Sequence, residues 1–356
     1  MPRLRTALAD IGPAVHGGRH GASDDASNII DFSVCLNAHG PAPEVVSAIA
    51  ACVVDEYPDR SSTRERALAA AWYQRPIDEI VLGAGSAELI QATCLAYLEP
   101  DRAALLLRPC FGEYERAARL TGASVRSVWS VKDLLAMITA DVHVVFVASP
   151  TSPYGEQLPL SSIQAIAEAC RTADALLVLD QAYDAFAARP HGTPVLAGHD
   201  HVLHLRSLTK DHALAGVRVA FAVCPPEVAQ AIEQVRVPWI ASAPTQAAAS
   251  ALMTDTAMRH AAQTIESIRA EAGRITSALN ELEIVVEPTD THYQLIGCHD
   301  AARLRATLLS QHGILVRDTT SFGLPQHVRV AARTPLDNDA LLHAMRAHRS
   351  LFRTTP

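Results

Sequence analysis

None of the seven cysteines, Cys35, Cys52, Cys94, Cys110, Cys170, Cys224 and Cys298, lies in a Cys-x-x-Cys pair, and their number is odd. That gives neither the spacing of a zinc site nor a disulfide framework; reduced thiols in a cytoplasmic protein without a metal are the expectation. No apolar run approaches the roughly eighteen residues that span a bilayer, so no membrane association is expected. The stretch from Met1 carries positive charge but only a short apolar run before Asp10 and Gly12, which does not read as a signal peptide. Runs of lysine and arginine are missing too. The 30 basic and 38 acidic residues are scattered for a net charge of −8, and a nucleic-acid partner needs a basic stripe. Internal repeats and low-complexity tracts are absent. What remains is a chain of 356 residues with 49% hydrophobic side chains, enough for a large core and of a length that predicts two structural units.

Short apolar runs alternate with longer helix-like segments through the middle of the chain, the pattern of parallel strands buried on both faces. Strands are expected at 80–82, 103–107, 143–148, 175–179, 202–205 and 217–223, with helices such as 87–97, 114–121 and 161–171 between them. This is the α/β class, with a mostly parallel central sheet flanked by helices; the large domain is placed at 46–255. Residues 244–282 are Ala-rich with Leu252, Ile265, Ile268, Ile275 and Leu279 at helical intervals, which predicts one or two long helices leading out of the sheet. Strands at 283–286, 294–296, 314–316 and 328–331 and a helix at 336–351 follow. They make a smaller α+β domain of residues 256–356, which residues 1–45 join as an N-terminal arm.

Ligands of an open parallel sheet gather at the carboxyl ends of its strands, and several of these positions carry useful groups. After Leu205 comes Ser207-Leu208-Thr209-Lys210, with Arg218 eight residues beyond the lysine. A lysine amine condenses with a carbonyl only if part of it is unprotonated, and nearby positive charge or desolvation achieves that. Lys210 is therefore a candidate for a Schiff base with pyridoxal phosphate, with Ser207 and Arg218 gripping the phosphate; a solvated loop lysine beside a structural arginine is the plain alternative. The small-residue turn Gly83-Ala84-Gly85-Ser86 enters a helix and could cradle a phosphate on its backbone N–H groups. Asp180 could hold a pyridine nitrogen protonated or cap a helix, and Tyr183 could reach a ring hydroxyl or fill core. Phe111 offers a flat face for stacking or for packing. Arg317 and Arg329 lie in apolar strands and need anionic partners, from a substrate or from an internal carboxylate.

These residues stand in the order and spacing of fold-type I pyridoxal phosphate enzymes. The chain resembles the class I/II aminotransferase group along nearly its whole length, most of all threonine-phosphate decarboxylases and histidinol-phosphate aminotransferases. The resemblance rests on His16-Gly17-Gly18, Asp31-Phe32-Ser33, Tyr57-Pro58-Asp59, Gly83 to Leu89, Asp180-Gln181-Ala182-Tyr183, Ser207 to Arg218 and Arg329 to Arg333. It implies the pyridoxal phosphate-dependent transferase fold and assigns Lys210 to the Schiff base, Asp180 to the pyridine nitrogen and Tyr183 to the ring oxygen. Phe111 would stack on the ring, and Ala84, Gly85, Ser86, Ser207 and Arg218 would bind phosphate. Tyr57 would reach the cofactor of a neighbouring subunit, which implies a homodimer with shared active sites. Arg329 would take the substrate α-carboxylate, and His16 and Arg317 would line its far end.

Two departures bear on the substrate. Ser152-Pro153-Tyr154-Gly155 stands where the group has Asn-Pro-x-Gly, so Ser152 replaces an asparagine that touches cofactor and substrate; the loop that is usually Asn-x-Asn-Pro reads Cys35-Leu36-Asn37-Ala38, which removes a polar group near the substrate and leaves Asn37 as a substrate-binding candidate. Gln181 replaces the usual glutamate after the aspartate. The expected activity is that of an aminotransferase acting on an amino acid. The alternatives are decarboxylation of a phosphorylated hydroxy-amino acid, or a biosynthetic elimination, replacement or cyclisation. A cofactor-sensing DNA-binding regulator would need an N-terminal helix-turn-helix that residues 1–30 do not supply.

Overall fold

A computed structural model of the chain describes residues 5, 8, 10–19, 28–196 and 198–354. A short strand, β1 (Ile30–Asp31), and two helices, α1 (Pro43–Ala50) and α2 (Thr63–Tyr73), precede the main sheet. Its strands are β2 (Ile80–Gly83), β3 (Ala103–Leu107), β4 (Ser124–Val128), β5 (Val142–Ala148), β6 (Leu176–Asp180), β7 (Val202–Ser207) and β8 (Ala220–Val223), in the order β2-β8-β7-β6-β5-β3-β4. Strands β3 to β7 run parallel, and β8 is antiparallel to both β7 and β2. Four crossover helices, α3 (Ser86–Tyr97), α4 (Gly112–Thr121), α5 (Val131–Met137) and α6 (Leu160–Ala173), cover it.

Every residue of β2, β3, β6 and β8 is buried, which is why continuous apolar runs announce them. Side chains alternate between two layers. Leu106, Phe146 and Val178 pack with α3 and α4 residues such as Leu89 and Ala118, while Leu105, Val145 and Leu177 pack with Leu134 of α5 and Ile163 of α6. β4 (Ser-Val-Arg-Ser-Val) was not anticipated. It is the sheet's edge and half open to solvent, so its sequence lacks the apolar run that marks the others.

The helical stretch expected at 244–282 follows α7 (Pro226–Val235) and is two helices, α8 (Ala243–Leu252) and α9 (Asp255–Glu281). Ser242 and Thr254 cap their N-termini, accepting from the N–H groups of Thr245 and Ala257. In α9 the buried positions Ala257, Ala261, Ile265, Ile268, Ala272, Ile275 and Leu279 form one stripe at spacings of three and four.

The remaining elements are β9 (Tyr293–Gly297), α10 (Ala301–His312), β10 (Ile314–Leu315), β11 (Arg317–Asp318), β12 (His327–Ala331) and α11 (Pro335–Ala347). They build an antiparallel sheet in the order β11-β12-β9, and β10 pairs parallel with β1. The strand expected at 283–286 is reduced to isolated bridges, Ile284 with Thr354 and Val286 with Ile296. A second core of Phe32, Ile275, Leu304, Val328 and Met345 lies here. Among the described residues no helix is long and apolar enough to cross a membrane.

Candidate active site

β6 ends at Asp180, in register with Ala148 of β5 and Leu205 of β7. The carboxylate is buried and accepts two hydrogen bonds, from the Tyr114 hydroxyl at 2.6 Å and from the Ala182 N–H at 2.9 Å. Burial pushes its pKa up, and those two donors together with the charges of Lys210 and Arg206 pull it back. Tyr114 was missed from sequence. It stands in the first turn of α4, stacked on Phe146 at 4.8 Å and edge-on to Phe111 at 5.8 Å.

Lys210 sits on the turn after β7. Burial lowers the pKa of its amine; the positive charges of Arg329 and Arg218 add to this, against Cys35 and Asp180. Such an amine keeps an unprotonated fraction for attack on a carbonyl. One cleft is lined by Ser86, Phe111, Ser152, Asp180, Tyr183, Ser207, Lys210 and Arg218, so five separate segments of the chain meet there. A larger cavity, of about 500 Å³, opens at the other end of β7 beside Val202 and His204; none of these groups reaches it.

Between α3 and Arg218 the backbone is shaped for a close approach. Gly85 has φ +85°, and a Cβ there would stand 2.6 Å from Arg218 Nη2. The next residue, Ser86, has a buried Oγ with no protein hydrogen-bond partner, at the N-terminus of a twelve-residue helix. The Ser207 and Thr209 hydroxyls are 2.6 Å apart. Ala84 is different: its N–H donates to Glu88 Oε2 at 3.1 Å, which takes it out of the set open to a ligand.

The family described as Aminotransferase class I and II matches residues 27–346. A histidinol-phosphate aminotransferase of Paramagnetospirillum magneticum is 30% identical over 360 residues, 97% of this chain and 98% of that one. The histidinol-phosphate aminotransferase structure from Sinorhizobium meliloti, in complex with pyridoxal-5'-phosphate, superposes with a TM-score of 0.80 at 23% identity, over 89% of this chain and 90% of its own. For L-threonine-O-3-phosphate decarboxylase from Porphyromonas gingivalis the values are 0.78 and 21%, over 90% and 99%. The chain belongs to the class I and II aminotransferases.

Aminotransferases of this family work with pyridoxal phosphate, and the residues present fit that group. The orphaned Ser86 hydroxyl and the Gly85 turn under Arg218 suit a phosphate; the buried Asp180 suits a protonated ring nitrogen; the desolvated Lys210 amine suits an aldehyde.

The two candidate substrate arginines meet across the smaller sheet of this aminotransferase. Arg317 of β11 and Arg329 of β12 are direct cross-strand partners, both buried, and neither has a carboxylate within ion-pair distance among the described residues. Arg329 donates to Ser152 Oγ at 2.7 Å and to the Ser33 carbonyl at 3.1 Å, and its Nε is buried without a partner. Arg317 donates to the Val15 carbonyl at 2.9 Å and to Ser321 Oγ at 2.8 Å. Burial and the neighbouring Arg329 bring the Arg317 pKa down to about 10. The salt bridge to an internal carboxylate that sequence left open is therefore not made, and opposed like charges favour an anion between or beside them. His16 and Arg317 line a cavity of about 440 Å³ with Ser33, and His16 Nε2 lies 2.9 Å from Glu113 Oε1.

Two named residues stand elsewhere. The Asn37 amide is committed to the Asp211 carbonyl and Thr264 Oγ1, both at 2.8 Å, while its oxygen accepts from the His39 N–H; it braces the loop next to Lys210 and does not line the cleft. Tyr57 is 81% exposed, against Trp239 at 4.7 Å, and does not reach the cleft of its own chain. Gln181 gains a role: its side-chain N–H donates to the Gly192 carbonyl at 2.7 Å, a bond that a glutamate carboxylate does not make, and its oxygen meets His204 Nδ1 at 2.9 Å.

Proposed function

We propose that this aminotransferase moves the amino group of a substrate whose far end carries an anion, phosphate before others. The observation that carries this reading is a cleft that brings together a desolvated lysine amine and a buried carboxylate, with Arg329 hydrogen-bonded to Ser152 of its lining and paired across the strands with Arg317, which lines the neighbouring cavity. When bound, pyridoxal phosphate supplies an electron sink for the substrate Cα. Asp180 would hold the ring nitrogen protonated, Tyr183 would serve the ring oxygen and Phe111 would offer its face. Lys210 would move the proton at Cα, burial having lowered the pKa of its amine. Ser86, Ser207 and Arg218 would grip the cofactor phosphate. Arg329 holds the anionic group nearest Cα, with Ser152 orienting its guanidinium, and Arg317 and His16 hold the distal one. The exposed Tyr57 serves the cleft of a second subunit in a homodimer.

Decarboxylation is the second reading, favoured by Ser152: a hydroxyl in place of an amide changes how Arg329 meets a carboxylate. Purified enzyme with pyridoxal phosphate, histidinol phosphate and 2-oxoglutarate is expected to form glutamate. Carbon dioxide from L-threonine O-phosphate, with no glutamate from any donor, would replace the first reading by the second. Light scattering is expected to give twice the 38.1 kDa of one chain; a monomeric active enzyme would remove Tyr57 from the site.

A further inference from the structure

We infer that Tyr114 is a positioning residue for Asp180, fixing its carboxylate toward the cleft and keeping it in the charged form. This rests on the reading of the cleft as a pyridoxal phosphate site. The hydroxyl donates to Oδ2 at 2.6 Å while the Ala182 N–H holds Oδ1, so both oxygens of a buried carboxylate are tied from opposite elements, α4 and the turn after β6. The ring that delivers the hydroxyl cannot swing away: it is 1% exposed, stacked on Phe146 with an interplanar angle of 11° and met edge-on by Phe111.

The phenol is the donor in this pair. Desolvation and the neighbouring Asp180 push the Tyr114 pKa well above 10, so the phenol remains a donor and the carboxylate an acceptor. Lys210 and Arg206 also favour the charged Asp180, but Arg206 is shared with Asp211. Cys110 and Tyr183 are the other titratable groups near Tyr114, both neutral donors whose burial raises their pKa. A donor that lowers the basicity of Asp180 leaves a proton shared with a ring nitrogen on the nitrogen, which is where an electron sink requires it.

The test is Tyr114→Phe, which keeps the ring and its stacking and deletes one O–H. In the cofactor-free protein, Asp180 is followed by its protonated-carboxyl infrared band, identified by its loss in Asp180→Asn. A hydrogen bond to a charged group predicts an upward shift of the Asp180 midpoint by about one to two pH units. In the loaded enzyme the pH profile of the visible band should move the same way, with kcat down about tenfold and KM changed by less than about twofold. A midpoint and visible profile that coincide with wild type, even if the melting temperature falls, would show that Tyr114 only packs and would overturn the inference. If neither protein binds pyridoxal phosphate, the functional reading falls, while the infrared titration still decides the role of Tyr114.

Discussion

Replacing Gly85 by alanine separates two effects that usually come together. A Cβ at this position would stand 2.6 Å from Nη2 and 3.0 Å from Cζ of Arg218, so the guanidinium must move off the turn. The backbone at φ +85° and ψ 162°, a region kept almost wholly for glycine, adds strain of about 1–3 kcal/mol for an L side chain, present with or without ligand and therefore felt as stability. Displacing the guanidinium removes a charge-assisted contact to phosphate, about 1.5–3 kcal/mol, felt only when the cofactor binds. Gly85→Ala should thus weaken pyridoxal phosphate binding about 10- to 100-fold, titrated into cofactor-free protein by visible absorbance. Gly40 provides the control. Its φ is +82° and nothing lies within 4 Å of the Cβ an alanine would add, so Gly40→Ala should lose stability with unchanged affinity. Equal affinities of Gly85→Ala and wild type would refute the placement of the phosphate under Arg218.

Lys210→Ala should fold, bind pyridoxal phosphate more weakly and lose turnover; a variant with normal turnover, checked against mass-verified protein, removes Lys210 from the chemistry. Arg329→Ala leaves the acceptors Ser152 Oγ and Ser33 O without their donor and should raise KM by about 10- to 100-fold with a smaller change in kcat. Saturation curves that superpose on wild type for every active substrate would contradict its assignment. Burial holds His204 and His292 down to about 3, below the roughly 6.5 of an unfolded imidazole. The unfolded chain therefore binds more protons between those values. Stability is full above about pH 6.5 and falls as pH drops, by up to about 1.4 kcal/mol per pH unit for each histidine. His292→Phe, whose ring can keep the stack on Phe186 at 3.7 Å, should flatten that slope in urea titrations at pH 5 and 7, and an unchanged slope would mean His292 is not the group that titrates.

The apolar strands of the main sheet were legible because each is buried on both faces and therefore written in unbroken aliphatic residues; β4 was not, since an edge strand with one neighbour tolerates Ser124, Arg126 and Ser127. The long helical stretch was legible as a pattern, but its break at residue 254 depends on a threonine cap that resembles any other threonine. Lys210, Asp180, Ser207 and Arg218 could be nominated because strand ends announce themselves. Tyr114 could not, because its value lies in one 2.6 Å contact with a residue 66 positions away.

Local order determines which residues sit at the ends of strands and first turns of helices, and so the sequence alone was enough to nominate a lysine, a carboxylate and a helix-start serine that the fold brings to one cleft. It could not tell whether an arginine is salt-bridged, nor a substrate-facing amide from a brace. Those distinctions depend on what lies opposite: Arg317 faces Arg329 instead of a carboxylate, and Asn37 faces Asp211 and Thr264 instead of the cleft. Burial and pairing are properties of contacts between distant segments, and only the folded chain brings those segments together.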